Sequence, residues 1–306
     1  MDEVILVSIA LCTYNGEKYI SQQLDSILRQ THRNLEIIIV DDCSTDNTFN
    51  IVKRYSVLDS RIKCFKNEVN IGFNKNFEKA IQLTTGDYIA ISDQDDIWLP
   101  GKVELLLNNI GDNWLIFSNS SFIDENNKVK AGKMLWKGFD LADRNYRRIL
   151  LSNFITGHNL LFKREFANYF LPLPKHGFYD WWIGFVALYH KKITFLDKTT
   201  TQYRIHDHSV MQQRIISGQE EQEKAKTIDH MLTAFASYER LRKSDKIFIT
   251  QLKNAYKKNI FYKNAIPLIK VIFNNYTDLF TNEKIRKGLS LFNFALKYAR
   301  KVRKYA

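Results

Sequence analysis

The sequence predicts an α/β fold: a mostly parallel sheet flanked by helices, followed by a helical C-terminal extension. Three observations predict it. Apolar runs of strand length alternate with segments of helical periodicity, joined by short connections. The runs VILVSIALC (4–12) and LEIIIV (35–40) are apolar almost throughout, the pattern of strands covered on both faces. The charge also divides the chain. Residues 1–213 carry 25 Lys+Arg against 25 Asp+Glu, whereas residues 214–306 carry 20 against 8, the whole of the net +12.

Residues 4–12 are the first expected strand. A helix over 17–31 follows, with Ile20, Leu24, Ile27 and Leu28 spaced along one face. Residues 35–40 form the second strand, ending at Asp41-Asp42. Ser44-Thr45-Asp46 offers a helix start, and Ile51, Val52 and Tyr55 continue the helical pattern. Residues 61–65 make a third strand and 73–83 a third helix. The turn Gly86-Asp87 leads into a fourth strand, 88–92, and the acidic run ISDQDDIWLP (91–100). Beyond residue 114 the order changes. Short strands are expected at 114–118, 159–162, 193–196 and 200–205, a hairpin turn at 125–128 and a helix at 181–189. After Ile215 nearly everything reads helical. The expected division is one domain over 1–213, with halves at about 1–113 and 114–213, and a basic helical region over 214–306.

At 45% hydrophobic and 13% aromatic, the chain has the material for a large core and is not a disordered tail. Cys12, Cys43 and Cys64 are odd in number and lack metal-type spacing, which points to a reducing, cytoplasmic compartment. The start MDEVILVSIALCTYN carries acids where a signal peptide has basic residues. No apolar run approaches the ~18 residues of a membrane span.

Thr13-Tyr14-Asn15, Asp41-Asp42 and Asp93–Asp96 each follow a strand. In parallel sheets ligands bind beyond the carboxyl ends of the strands, so the three clusters should share one rim. Asp93, Asp95 and Asp96 repel one another unless a cation joins them. Mg²⁺ or Mn²⁺ suits such oxygen donors and leaves room for phosphates. The plainer reading makes these acids, and Asp41-Asp42, helix caps or hydrated turn residues.

Together Cys12-Thr13-Tyr14-Asn15-Gly16, Asp41-Asp42 with Ser44 and Asp46, Asn70-Ile71-Gly72, Gly86-Asp87-Tyr88 and Asp93-Gln94-Asp95-Asp96 resemble the family 2 glycosyltransferases, inverting sugar-nucleotide enzymes of GT-A (Rossmann-like) fold. The resemblance spans roughly residues 4–210. The string SDQDDIWLPGK is most similar to the rhamnosyltransferase-like branch of bacterial surface-polysaccharide biosynthesis. It implies a nucleotide-binding half about 1–113 and an acceptor half about 114–213. Thr13, Tyr14 and Asn15 would lie beside the base and ribose, and Asp42 would accept from the pyrimidine N3–H. Gly72 would allow close backbone approach, and Lys75 would meet the diphosphate. Asp93 would face the donor, and Asp95, Asp96 and His206 would hold the metal, with Asp95 favoured. Arg204, in YRIHDHSV (203–210), would pair with phosphate oxygens. His208 in the same string has no role that the resemblance supplies.

The resemblance also places a general base at Asp180 in HGFYDWWIGF, where Trp181 and Trp182 should raise the carboxyl by desolvation. The plainer reading is an N-cap for the next helix. His158 in ITGHNLLFKREF, with Trp181 and Trp182, would face the acceptor. The donor would be a UDP- or dTDP-sugar, dTDP-rhamnose among them, and the acceptor a saccharide or a polyprenyl-linked species.

The segment 284–306 carries eight Lys+Arg and no acid, with Ile285, Leu289, Phe292, Leu296, Ala299 and Val302 at helical spacing. It fits a basic amphipathic helix on the anionic inner face of the cell membrane, or equally a helix packed on its neighbours. No nucleic-acid-binding module accompanies the charge. Two other functions fit parts of the pattern: a phosphohydrolase with an Asp nucleophile, and a non-catalytic sugar-nucleotide-binding subunit of a membrane assembly.

Overall fold

A computed structural model describes residues 5–141, 143–206, 220–280 and 285–304. Its parallel half alternates strand and helix: β1 (Val7–Thr13), α1 (Ile20–Leu28), β2 (Leu35–Asp41), α2 (Thr48–Leu58), β3 (Ile62–Lys66), α3 (Phe73–Leu83) and β4 (Tyr88–Ser92). Strand β1 lies between β2 and β4 and is parallel to both, and β3 extends the sheet beyond β2.

Successive side chains of a strand point to opposite faces. Val7, Ile9 and Leu11 of β1 and Ile37 and Ile39 of β2 share one core with Ile20, Leu24 and Ile27 of α1 and Ile51 and Val52 of α2. Each such aliphatic side chain contributes about 1.5–3 kcal/mol when fully buried. The opposite face is covered by α3, which buries Phe77, Ala80 and Ile81. Asn76 of α3 donates to the Val40 carbonyl at 2.8 Å. On the sheet itself, Glu36 accepts from Ser8 Oγ at 2.6 Å, Lys63 Nζ at 2.8 Å and the Thr85 amide at 2.7 Å.

Past β4 come β5 (Ile97–Trp98), α4 (Lys102–Ile110), β6 (Leu115–Ile123), β7 (Val129–Lys133), β8 (Leu160–Lys163), α5 (Ala167–Phe170), α6 (Tyr179–Tyr189) and β9 (Ile193–Arg204). The sheet order is β3-β2-β1-β4-β8-β6-β9-β5, with β7 paired to β6. The α/β architecture is the expected one, and the sheet is mixed rather than mostly parallel. Strand β8 lies antiparallel between β4 and β6, and β5 runs antiparallel to β9. The two short strands expected at 193–196 and 200–205 are one strand. Its pairing to β6 shifts register between Leu196 and Thr201, so the polar pair Asp197-Lys198 is an irregularity and not a break. All five residues of β7 are exposed, so no apolar alternation announces it.

The chain divides into two compact units: Met1–Arg144, Ile155–Lys175 and Val186–His206 form the first, and Asn145–Phe154, His176–Phe185 and Asp207–Ala306 the second. The expected boundary at 213/214 lies outside the described residues. The second unit contains α7 (Glu220–Ser237), α8 (Lys243–Phe261), α9 (Ile266–Asn274), α10 (Tyr276–Leu279) and α11 (Gly288–Lys304). An aromatic cluster forms part of its core, with Phe185 and Phe235 ring centroids 4.2 Å apart and Trp182 stacked on Phe235. Among the described residues no helix is long and apolar enough to cross a membrane.

Candidate functional site

Adjacent parallel strands carry their polar ends to one rim. Thr13 at the end of β1 pairs in register with Asp41 at the end of β2, and Leu11 with Ser92, the last residue of β4. The Gln94 side chain ties the acidic loop to β1: Oε1 accepts from the Tyr14 amide at 2.9 Å and Nε2 donates to the Tyr14 carbonyl at 3.0 Å. A Cβ on Gly16 would lie 2.2 Å from Gln94 Oε1, so this approach requires glycine. Burial, together with the charges of Asp93 and Asp42, pushes the Cys12 thiol up.

Asp41 is buried and accepts from Thr13 Oγ1 at 2.9 Å and from the Ser44 amide at 2.9 Å. Asp42 holds a different loop. Its Oδ1 accepts from Asn67 and from the Ile71 amide, both at 2.8 Å, and its Oδ2 accepts from the Gly72 amide at 2.9 Å. Neither acid caps α2, whose N-cap is Asn47. A carboxylate has about four acceptor directions, and these three bonds leave one on Oδ2 unfilled among the described residues. Asn15 accepts from the Thr45 amide at 2.9 Å, whereas Tyr14 is exposed. Gly72 stands at φ +82° at the N-terminus of α3, with nothing within 4 Å of where a Cβ would stand. Lys75 pairs with Glu78 at 2.8 Å.

The acidic loop is built inward. Gln23, wholly buried on α1, reaches Ser92 Oγ at 2.6 Å, Trp98 Nε1 at 3.2 Å and the Asp96 carbonyl. Asp96 is fully buried, with Oδ1 accepting from the Arg204 amide at 3.1 Å. Its Oδ2 has no hydrogen-bond partner among the described residues and lies 3.9 Å from His158 Nδ1, which is also 4.0 Å from Asp93 Oδ2. One ligand atom from each of Asp93, Asp96 and His158 falls within 4.8 Å of the others. Burial, and next the charges of Asp95 and Asp93, push the Asp96 carboxyl well above the usual range.

His158 is kept neutral. Burial, and then the charge of Lys102, hold it well below the ordinary histidine value. Its Nε2 is 2.7 Å from Ser120 Oγ. With the ring proton on that nitrogen, the Nδ1 lone pair faces two carboxylates. Three acceptors aimed at one small space repel unless a cation, or a proton on Asp96, occupies it, and a ligating imidazole steadied through its other nitrogen is a common metal-site arrangement. The two carboxylates suit Mg²⁺ or Mn²⁺, and the imidazole nitrogen favours Mn²⁺ of the two.

Lys102 is also fully buried, in the first turn of α4. It donates to the His158 carbonyl and to Thr201 Oγ1 and lies 3.8 Å over the Trp98 ring. Burial lowers its ammonium well below the usual value, against the pull of Asp96 and Asp93. Arg204 is enclosed as well. Its guanidinium donates to the Asp95 carbonyl at 2.7 Å, the Asp124 carbonyl at 3.1 Å, Asn127 Oδ1 at 2.6 Å and Gln22 Oε1 at 2.9 Å. Asp95 Oδ2 and His206 Nε2 meet at 2.9 Å.

The structure thus groups Asp93 and Asp96 with His158, which the sequence placed on the acceptor side, and pairs Asp95 with His206. The donors of Arg204 organise the loop. Gln23, Gln94 and Ser120 carry no signal in the sequence, whereas Lys102 ends the string SDQDDIWLPGK. Residues 207–210 of YRIHDHSV, His208 included, lie outside the described residues.

In the second unit, Asp180 occupies the first turn of α6. Its Oδ1 accepts from the Trp181 amide at 2.6 Å and from Asn153 Nδ2 at 3.2 Å. Trp181 and Trp182 are buried, and Trp181 Nε1 donates to the Ile149 carbonyl at 2.6 Å.

The mixed sheet, with the acidic rim at the ends of its parallel strands, matches the architecture of solved GT-A glycosyltransferases. The profile described as Glycosyl transferase family 2 matches residues 8–170, and the chain belongs to that family. An uncharacterized glycosyltransferase of Methanocaldococcus jannaschii is 32% identical over 209 residues, 65% of this chain and 71% of that one. The Escherichia coli enzyme WfaP, a UDP-Glc:alpha-D-GlcNAc-diphosphoundecaprenol beta-1,3-glucosyltransferase, is 30% identical over 208 residues, 67% of this chain and 79% of its own. Among solved structures, S. aureus TarS 1-349 in complex with UDP-GlcNAc superposes with a TM-score of 0.62 over 98% of this chain and 89% of that one, at 18% identity. The protein is a glycosyltransferase, which displaces the phosphohydrolase and binding-subunit readings.

Proposed function

We propose that this enzyme moves a sugar, with inversion, from a UDP- or dTDP-sugar to a saccharide or polyprenyl-linked acceptor in surface-polysaccharide synthesis. The observation that carries this reading is the buried Asp96 Oδ2, with no hydrogen-bond partner among the described residues, beside His158 and Asp93. The TarS complex with UDP-GlcNAc and the activity named for WfaP support a uridine donor and a lipid-diphosphate acceptor. The similarity of SDQDDIWLPGK to the rhamnosyltransferase branch adds dTDP-rhamnose to the donors to be screened.

In this reading Asp93, Asp96 and His158 hold Mg²⁺ or Mn²⁺, and Asp95 and His206 close the loop beside them. The ion, when bound, neutralises charge on the departing diphosphate. Asp42 Oδ2 accepts from the pyrimidine N3–H, Thr13, Tyr14 and Asn15 flank the base and ribose, and Gly72 leaves room for the diphosphate near the positive end of α3. Lys75 pairs with a phosphate oxygen once released from Glu78. Asp180 takes the proton of the acceptor hydroxyl as its oxygen bonds to the anomeric carbon and the bond to the diphosphate breaks. The basic region 214–306 keeps the enzyme at the inner face of the membrane, where a polyprenyl-linked acceptor resides.

Thermal shift with UDP, dTDP, GDP and ADP, with and without Mn²⁺, tests the reading, followed by donor hydrolysis across UDP- and dTDP-sugars. Metal-dependent stabilisation by a pyrimidine diphosphate is expected. Equal shifts with purine diphosphates, or none with Mn²⁺, would overturn it.

A further inference from the structure

Helix α11 presents two apolar stripes. One is inward: Leu291, Ala295 and Ala299 are buried, and Asn259 of α8 donates to the Ala299 carbonyl at 3.0 Å. Phe294 and Tyr298 extend this side by ring contacts with Phe280. The other stripe faces outward. Leu289 is 76% exposed, Ile285 just before the helix is 78% exposed, and Phe292 is exposed as well. Within the helix, positions 289, 292 and 296 recur at helical spacing, so the partly buried Leu296 continues the line that the exposed Ile285 precedes. The apolar residues of this segment therefore divide between an inward and an outward face.

Arg303 falls on the same line as the outward stripe. Its guanidinium donates to the Lys263 carbonyl at 3.1 Å, at the corner between α8 and α9. There Tyr262 is 78% and Ile266 75% exposed, beside exposed Phe261. That bond brings the end of the stripe to the exposed corner, and the stripe itself runs about 21 Å from Leu289 to Arg303 at 1.5 Å per residue. The arc of α11 beside the stripe carries Arg300, with Lys297 farther round, and residues 284–306 contain no acid.

We propose that stripe and corner form a docking surface for an anionic lipid bilayer, with Leu289, Phe292, Tyr262 and Ile266 entering the headgroup boundary and the flanking Lys and Arg pairing with lipid phosphates. Large apolar side chains held out between cations are the pattern of an interfacial helix. A second copy of the chain would bring like charges together, and a nucleic acid offers no apolar layer for the stripe. The proposal deepens the lipid-linked acceptor reading and rests on it for its purpose.

Co-sedimentation of the full chain with phosphatidylglycerol vesicles, with phosphatidylcholine vesicles as control, tests it. The native chain sediments with the anionic vesicles only. The double variant Leu289→Glu/Phe292→Glu and the charge variant Arg300→Glu/Arg303→Glu each lose binding by about tenfold or more, and added salt weakens the native interaction. Circular dichroism confirms their folding, and hydrolysis of a soluble donor stays at the native rate, which separates this surface from the sugar-nucleotide site. Native-level vesicle binding by folded variants overturns the proposal, as does a native dimer that Leu289→Glu/Phe292→Glu dissociates. Loss of donor hydrolysis in the native chain would instead count against the proposed function.

Discussion

Oδ2 of Asp96 lies 3.9 Å from Nδ1 of His158, and both residues are buried. A carboxylate oxygen without a hydrogen bond beside a neutral imidazole is costly unless something bridges the pair.

The first prediction concerns that bridge. Asp96→Asn and His158→Ala should each abolish the rise in melting temperature that Mn²⁺ produces without nucleotide, and should lower transfer by about 10²–10³-fold. His206→Ala should keep a Mn²⁺-dependent rise. The reverse outcome, with His206 essential and His158 dispensable for the thermal shift, would move the ion to Asp95.

Asp180→Asn should reduce transfer by about 10²–10⁴-fold while leaving the dissociation constant for the nucleoside diphosphate unchanged. Isothermal titration beside a transfer assay checks both. Retained turnover would remove Asp180 from the chemistry and leave it as a residue positioned by Asn153.

Gly16→Ala should displace Gln94, whose oxygen lies 2.2 Å from the new Cβ, and release Tyr14 from the acidic loop. Overpacking of this kind costs about 1–3 kcal/mol. Nucleotide affinity should fall along with the urea midpoint. A midpoint within error of the native chain would show that Gln94 swings aside freely.

Glu36 supplies a pH dependence. Burial raises its carboxyl, but Lys63, Ser8 and Thr85 outweigh that and bring it from 4.5 to about 2. A folded value below the unfolded one gives stability that is complete above pH 4.5 and lost as pH falls towards 2. Glu36→Gln should therefore destabilise most at neutral pH, with the difference shrinking across that window in urea titrations. A difference constant with pH would exclude the charge as its source.

The parallel half was legible because β1 and β2 are buried on both faces and α1 shows its stripe at Ile20, Leu24 and Ile27. The second half was less so. Ser118, Asn119 and Ser120 are polar strand residues, and Ser118 and Ser120 are satisfied by Thr200 and His158, long-range contacts that no local pattern reveals. In the site, Asp93–Asp96 stood out by charge density. His158 looked peripheral because its approach to the acids depends on β8 entering the sheet beside β4. Lys102 drew no reading of its own, since burial of an ammonium cannot be seen in sequence.

The position of β8 also sets a timetable for synthesis. Strand β4 ends at residue 92, yet its neighbour on the side away from β1 is made nearly 70 residues later, and the amide that donates to Asp96 belongs to residue 204. At about 5–20 residues per second, the growing chain holds an open strand edge for about 4–14 s before Leu160–Lys163 emerges to cover it. During that interval the charge of the acidic loop discourages the edge from pairing with another nascent chain. The carboxylates assigned to the ion would thus protect the polypeptide before there is a site to build.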